Sequence, residues 1–530
     1  MPLSAVRILL AASALAAAAA PATAQPSRAA RAQAWWADIS AIADDSTEGR
    51  LTGSPGYLKA AAYVEGRFKV LGLAPAGSNG YRQPVAFQSQ TVDQAASRAT
   101  LGGAAVTVGD EMLIGAGGGP RPEKAEAELA FVGYGLHLPE QGWDDFAGVD
   151  LKGKIAVVVS GGPANIPGPV KSSNRNERVK LLAERGAVGM ITLTTPKQVE
   201  IPWARQKLLS GQPGMYLADK SLREAPDGFV SASFDPERSQ RLFEGSGHSW
   251  TEIAAAADAS GPVPRFALKP KLAVTVAARR LPVSSPNLVA RLEGSDPKLK
   301  AEHVVLSAHL DHLGVGAAIN GDRIYNGAMD DASGVASVLD IAGRLKAGPR
   351  PKRSVLFVIV CAEEKGLLGS YYFAKRPTVP KASLVADLNF DMPLPFWPLK
   401  TVLVQGEAES TLGDDARAAA SAQGLALTPD PLPERNSFVR TDQFSFVKTG
   451  VPALAFKFGF PKGTPAFDIE HDWRANRYHS PGDDLQQPGV LKEEAVKLDD
   501  YVTAIARRVA DAPKRPTWLP TSVFRRYAAE

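Results

Sequence analysis

Cysteine is nearly absent from this 530-residue chain; the single one is Cys361. No intramolecular disulfide can form, so stability rests on core packing, with bound metal as the available supplement. Cys361 closes the apolar run Val355 to Cys361, which makes it a small buried hydrophobe rather than a nucleophile. An excess of one charge is also missing: 60 basic against 56 acidic residues leave a net charge of +4. That balance predicts no nucleic-acid partner and no strongly acidic surface. No fixed-period repeat is present. Apolar runs long enough to span a bilayer, about 20 residues, are lacking as well. A hydrophobic content of 45% with 22% charged residues describes an ordinary globular protein.

The one long apolar run lies at the start. Arg7 precedes Ile8 to Ala20, followed by Pro21 and then Ala22-Thr23-Ala24 before Gln25. The pattern predicts a signal peptide over 1–24 and export to the periplasm or beyond, with no membrane span after cleavage. An uncleaved N-terminal anchor is the competing reading. About 500 residues remain, enough for two or three domains.

Residues 34–75 read as helical, with Ser54 and Pro55 as an N-cap and first-turn pair and Gly72 as a stop. Residues 80–115 read as short strands. From about 283 to 512, near-continuous apolar strands (His303 to Ser307, Ser354 to Cys361, Ser383 to Phe390, Val451 to Phe456) alternate with helical stretches, ending in a long amphipathic helix from Leu491 to Ala510. This alternation predicts an α/β fold with a mostly parallel central sheet flanked by helices. Ligands in such folds gather at the carboxyl ends of the strands.

Those ends carry the chemistry. Glu363-Glu364 follows a buried strand, where two adjacent carboxylates are electrostatically costly unless something positive faces them. Ala308-His309-Leu310-Asp311-His312 closes an earlier strand. Asp330-Asp331-Ala332-Ser333-Gly334 forms an acidic turn before a helix, and Asn389-Phe390-Asp391-Met392 ends a later strand. Arg477-Tyr478-His479-Ser480-Pro481 lies in a loop before the last helix. Each piece alone has an ordinary explanation: a hydrogen-bonded pair, an Asx turn, a helix cap or a loop histidine. Together they offer mixed nitrogen and oxygen donors of the kind zinc takes, with carboxylates able to bridge two metal ions.

On these motifs the chain resembles the co-catalytic di-zinc exopeptidases, which include secreted bacterial leucyl aminopeptidases and, more distantly, glutamate carboxypeptidase. The resemblance extends from Glu48-Gly49-Arg50 to the terminal helix. It implies two Zn²⁺ per chain, with Asp330 bridging them across a cis Asp330–Asp331 peptide. One ion would take His309 and Asp391, the other Glu364 and His479. Glu363 would be the general base, Asp311 the residue orienting His309, and Tyr478 a donor to the oxyanion. Arg440, in Val439-Arg440-Thr441-Asp442, resembles an arginine that contacts substrate in the secreted aminopeptidases.

A second resemblance lies in Phe131-Val132-Gly133-Tyr134-Gly135, Trp143-Asp144-Asp145-Phe146 and Leu151-Lys152-Gly153-Lys154. These elements resemble the protease-associated domain, a β-rich module found inserted in secreted exopeptidases. The implied organisation is a signal peptide (1–24), the N-terminal part of the peptidase domain (25–121), the protease-associated domain (122–265) and the main peptidase part (266–530). The implied function is a zinc aminopeptidase acting on peptides, its oligomeric state open. A carboxypeptidase or dipeptidase on the same centre, a glutaminyl cyclase and a non-enzymatic binding protein are the alternatives.

Overall fold

The computed structural model describes residues 26–199 and 201–529. The expected signal peptide lies outside them. Among the described residues no helix is long and apolar enough to cross a membrane.

The chain opens with two helices, α1 (Arg28–Ile42) and α2 (Pro55–Val70). The hydroxyls of Ser27 and Ser54 cap them, accepting the N–H of Ala30 at 3.2 Å and of Tyr57 at 3.1 Å. The helical reading of 34–75 thus resolves into two helices, the second starting at the expected Ser54-Pro55 pair, with a break before it. Gly49, at φ +64°, makes the break: a Cβ there would lie 2.3 Å from the Tyr325 carbonyl oxygen.

The short strands expected over 80–115 are dominated by one long strand, β1 (Arg82–Leu101). The next elements are β2 (Lys124–Val132), β3 (Ile155–Val159), α3 (Gly168–Glu184), β4 (Gly189–Leu193) and β5 (Val230–Phe234). They lead to β6 (Arg265–Leu292), which pairs antiparallel with β1 along most of its length. Pro270, Pro282 and Pro286 lie inside β6. Prolines argue against a strand on pattern alone, and a register shift between Leu268 and Lys271 accommodates the first.

Beyond β6 come β7 (His303–His309), α4 (Ser333–Ala347), β8 (Ser354–Val360), β9 (Leu384–Phe390), β10 (Thr401–Gln405), β11 (Ala453–Phe458), α5 (Pro465–Asn476) and α6 (Lys492–Asp511). The sheet order in this half is β10-β11-β9-β7-β8-β6, and β7 runs parallel to both β8 and β9. β9 and β11 are parallel too. This is the expected mostly parallel α/β sheet with helices on its faces. Alternate residues of β7 and β8 enter different apolar clusters: Val304, Leu306, Phe357 and Ile359 one, Val305, Leu356 and Val358 the other. Both faces are therefore buried, which is why these strands read as continuous apolar runs.

β6 continues the same sheet into a second half, ordered β6-β2-β3-β4-β5. A separate apolar core forms there from Leu129, Phe131, Ile155, Val157, Ile191 and their neighbours. It also takes in Val92, Leu101, Val106, Met112 and Ile114, residues that precede 122. Val92 and Leu101 join because β1 pairs with the first part of β6, Val106 through a short strand paired with the end of β1, and Met112 and Ile114 through a strand paired with β5.

Candidate metal centre

Register places the donors. His309 at the end of β7 is paired with Val360 at the end of β8, and Ser307 with Asn389 on β9. Two residues further along β9, Asp391 is then level with His309. The chain bends just after β8: Ala362 has φ +58°, and the Glu363 carbonyl accepts the N–H of Gly366 at 2.8 Å and of Leu367 at 2.9 Å. This turn separates the two adjacent glutamates, which would point to opposite faces on an extended backbone. Positive φ recurs at Met392 and His479, so sparsely populated backbone is concentrated around the site.

Asp330 lies at the centre, buried, and its peptide bond to Asp331 is cis. One carboxylate oxygen, Oδ1, is 3.2 Å from His309 Nε2. The other, Oδ2, is 3.5 Å from His479 Nε2, which is itself 3.2 Å from Glu364 Oε2. Donor atoms of His309, Asp330 and Asp391 converge in one group within 4.8 Å of one another, and those of His312, Asp330 and Glu364 in a second. His309 Nε2, Asp391 Oδ1 and Glu364 Oε1 are buried with no hydrogen-bond partner. Buried polar atoms left unpaired in two converging groups that share Asp330 fit the donor sets of metal ions. Burial raises the pKa of Glu363 well above the usual carboxylate range, the charge of His309 acting against it.

A layer of buried polar groups fixes these donors. The Arg50 guanidinium bonds the carbonyl oxygens of Leu310 at 2.6 Å, Gly327 at 2.9 Å and Ile42 at 3.2 Å, and that of Asn326 as well. It thereby ties the loop after β7 to the turn before Asp330. The Asp311 carboxylate was expected to orient His309. Its Oδ1 is 4.0 Å from His309 Nδ1, whereas the Asp311 backbone carbonyl is 3.1 Å away and accepts that ring proton. The carboxylate is instead engaged by the Glu363 N–H at 3.1 Å and the Thr52 hydroxyl at 3.1 Å. Asp311 thus holds the ring through its main chain, and its side chain holds the turn that carries Glu363.

The Tyr478 ring stacks on that of His479 at 3.8 Å between centroids, and burial raises its hydroxyl pKa. Arg440 is exposed and lines a cleft of about 380 Å³ together with Lys365, Leu367, Tyr371, Tyr216 and Arg223. His312 had no assigned role. Its Nδ1 lies 2.7 Å from Glu364 Oε1, and the residue is fully buried. The available signal was its place three residues after His309 within the same motif.

The sequence model of Peptidase family M28 matches residues 287–500. The match spans the part of the chain that carries the candidate metal centre, and in this segment the chain is similar to peptidase family M28. The M28 segment contains each expected metal and catalytic residue, Arg440 included. Probable leucine aminopeptidase 2 of Aspergillus fumigatus is 31% identical over 240 residues, which are 42% of this chain and 43% of that protein. Leupeptin-inactivating enzyme 1 of Streptomyces exfoliatus is 38% identical over 108 residues, 20% of this chain and 22% of that one. The chain thus spans less than half the length of these curated relatives. Among solved structures, an aminopeptidase from Aneurinibacillus sp. strain AM-1 has a TM-score of 0.53 at 21% identity, covering 93% of this chain and 96% of its own. That likeness extends the shared fold beyond the M28 segment to nearly the whole chain.

Proposed function

We propose that the protein is an exported zinc aminopeptidase that releases N-terminal residues from peptides, using two Zn²⁺ per chain. The carrying observation is Asp330, which turns one carboxylate oxygen toward His309 and the other toward His479. In this reading His309, Asp330 and Asp391 would hold one ion, and Asp330, Glu364 and His479 the other. Residues 122–265 are read as a protease-associated module beside the M28 segment.

Bound zinc supplies Lewis-acid polarisation of the scissile carbonyl and of the attacking water. The chain's own groups do the rest. Glu363 is held by the turn after β8 at the same strand end as His309, where it takes the proton of the attacking water and returns it to the departing amine. Tyr478 donates its hydroxyl to the oxyanion that develops at the carbonyl. Asp311 keeps Glu363 in place through the Glu363 N–H. Arg440 contacts the substrate from the cleft that it lines.

The test is a hydrolysis profile of the purified protein over aminoacyl and peptide substrates with free and blocked N-termini. Cleavage of free N-termini, loss of activity in chelator, recovery with Zn²⁺ and two zinc ions per chain by metal analysis are expected. Activity confined to N-blocked peptides would establish a carboxypeptidase instead. Cyclisation of N-terminal glutamine with one zinc per chain would establish a glutaminyl cyclase.

A further inference from the structure

The loop that leaves α5 carries Tyr478 and His479, and its backbone acceptors are served from two directions. The last carbonyls of an α-helix have no donor within the helix and need one from elsewhere. Here the Trp473 carbonyl takes the N–H of Arg477 at 2.7 Å and of Tyr478 at 3.2 Å. The Ser480 hydroxyl lies 3.1 Å from the Asn476 carbonyl oxygen and 2.9 Å from that of Arg477. The carbonyls of Ala475 and Tyr478 are reached from the other half of the molecule. Arg205 Nη2 donates to Ala475 at 2.8 Å, and Nη1 donates to Tyr478 at 3.3 Å.

Arg205 belongs to the short helix Trp203–Leu209, which lies between β4 and β5 in the chain and outside the segment 287–500. That helix is fastened to one residue of its own half. Trp203 Nε1 donates to the Asp110 carbonyl at 2.7 Å, and Lys207 Nζ pairs with the Asp110 carboxylate at 2.8 Å. The guanidinium is a planar fork, so its two nitrogens hold the two carbonyls in a fixed relation. A cation is also favoured at the C-terminus of a helix. His479, the next residue, has φ +52°, a conformation that persists only where the surroundings enforce it.

We propose that Arg205 is a positioning residue for the reaction: by holding the Tyr478 carbonyl it fixes the main chain from which the Tyr478 hydroxyl is aimed at the oxyanion. The inference rests on the aminopeptidase reading and on the role given to Tyr478 above. The Tyr478 ring has contacts of its own, with the His479 ring at 3.8 Å and the Arg474 guanidinium at 4.7 Å. Those contacts restrain the ring, whereas Arg205 restrains the backbone that carries it. A donor to an oxyanion works by being in place beforehand, and a misplacement of about 1 Å can cost ~100-fold in rate. The competing role for Arg205 is to join the two halves and nothing more. That role predicts a lower melting temperature with unchanged turnover.

The experiment is a double-mutant cycle on the zinc-loaded full-length protein, with kcat and KM measured for Arg205→Met, Tyr478→Phe and the two combined. Arg205→Met should lower kcat by about 10–100-fold with KM and zinc content nearly unchanged. In the Tyr478→Phe background the same substitution should cost less than about twofold, because the group it positions is gone. Arg205→Lys, which keeps a donor for one carbonyl, should retain more of the rate than Arg205→Met. An equal loss in both backgrounds overturns the assignment, as does unchanged kcat with a lowered melting temperature. Loss of zinc in Arg205→Met would place its effect on His479 and also overturn it. Tyr478→Phe with unaltered kcat removes the premise while leaving an aminopeptidase. Absence of cleavage at any free N-terminus removes the aminopeptidase reading and this inference together.

Discussion

Asp483 holds the backbone on both sides of the peptide bond leading into Asp330: its Oδ1 accepts the N–H of Met329 at 2.9 Å and its Oδ2 that of Asp330 at 3.0 Å. The Asp483 carbonyl also accepts the N–H of Ala328 at 3.0 Å. Asp483 lies four residues after His479, so one side chain couples the loop of one candidate ligand to the turn of another. Asp483→Ala leaves two buried N–H groups unpaired. A loss of about 1–3 kcal/mol per unsatisfied group is expected, with zinc affinity reduced by about 10–100-fold. Calorimetry and zinc titration check both, and unchanged zinc affinity would contradict the coupling.

Glu363→Gln and Glu364→Gln should separate. The first should retain zinc and fold while kcat falls by about 10²–10⁴-fold, the range for removal of a positioned acid–base group. The second should lower zinc content, because His479 Nε2 and Glu364 Oε2 face each other at 3.2 Å in the candidate centre. Metal analysis beside single-turnover kinetics distinguishes them. Exchanged phenotypes would mean that the assignment within the pair is reversed.

Arg50 bonds four buried carbonyls from three separate segments. Arg50→Met removes the charge but leaves those acceptors without donors. A destabilisation of about 3–5 kcal/mol is expected, the scale for breaking a buried charged network. Arg50→Lys should rescue little, because an ammonium cannot reproduce the planar fork. Melting temperatures of the metal-free proteins provide the check, and a shift within error for Arg50→Met would refute the clamp.

His303 gives a pH dependence away from the metal centre. Its Nδ1 is 2.9 Å from the Ser383 hydroxyl, whose own proton goes to the Pro380 carbonyl at 2.6 Å. Nδ1 therefore carries the proton, and the buried Nε2 has no partner. Burial, with a smaller contribution from Arg291, pushes the pKa from 6.5 down to about 4. Between these values the unfolded chain binds the extra proton, so the stabilising contribution is complete above pH 6.5 and is lost as pH falls through about 4. The melting temperature of His303→Gln should fall less steeply than that of the unaltered protein across this window. Parallel curves would exclude His303 as a contributor.

The parallel sheet was legible because β7, β8 and β9 are buried on both faces and read as unbroken apolar runs. The site was legible because its donors follow those runs directly, in chain order. Strand β6 was not legible beyond its last residues, since three prolines interrupt it and its pairing partner β1 lies about 180 residues away. The boundary between the two cores was hidden for the same reason: Val92 joins the second core because its part of β1 meets the first part of β6, and Met112 because its strand meets β5.

The sequence by itself determined the donor types, their order and their placement at strand ends, because composition and period are local properties. Tertiary structure decided which atoms face one another. Only the fold turns the chain at Ala362 so that Glu363 and Glu364 part, brings His312 to 2.7 Å from Glu364, and gives His309 the carbonyl rather than the carboxylate of Asp311. The His312–Glu364 relation joins distant segments, and the other two depend on how the chain turns at strand ends. They are set by strand register and turn geometry, which no local pattern encodes.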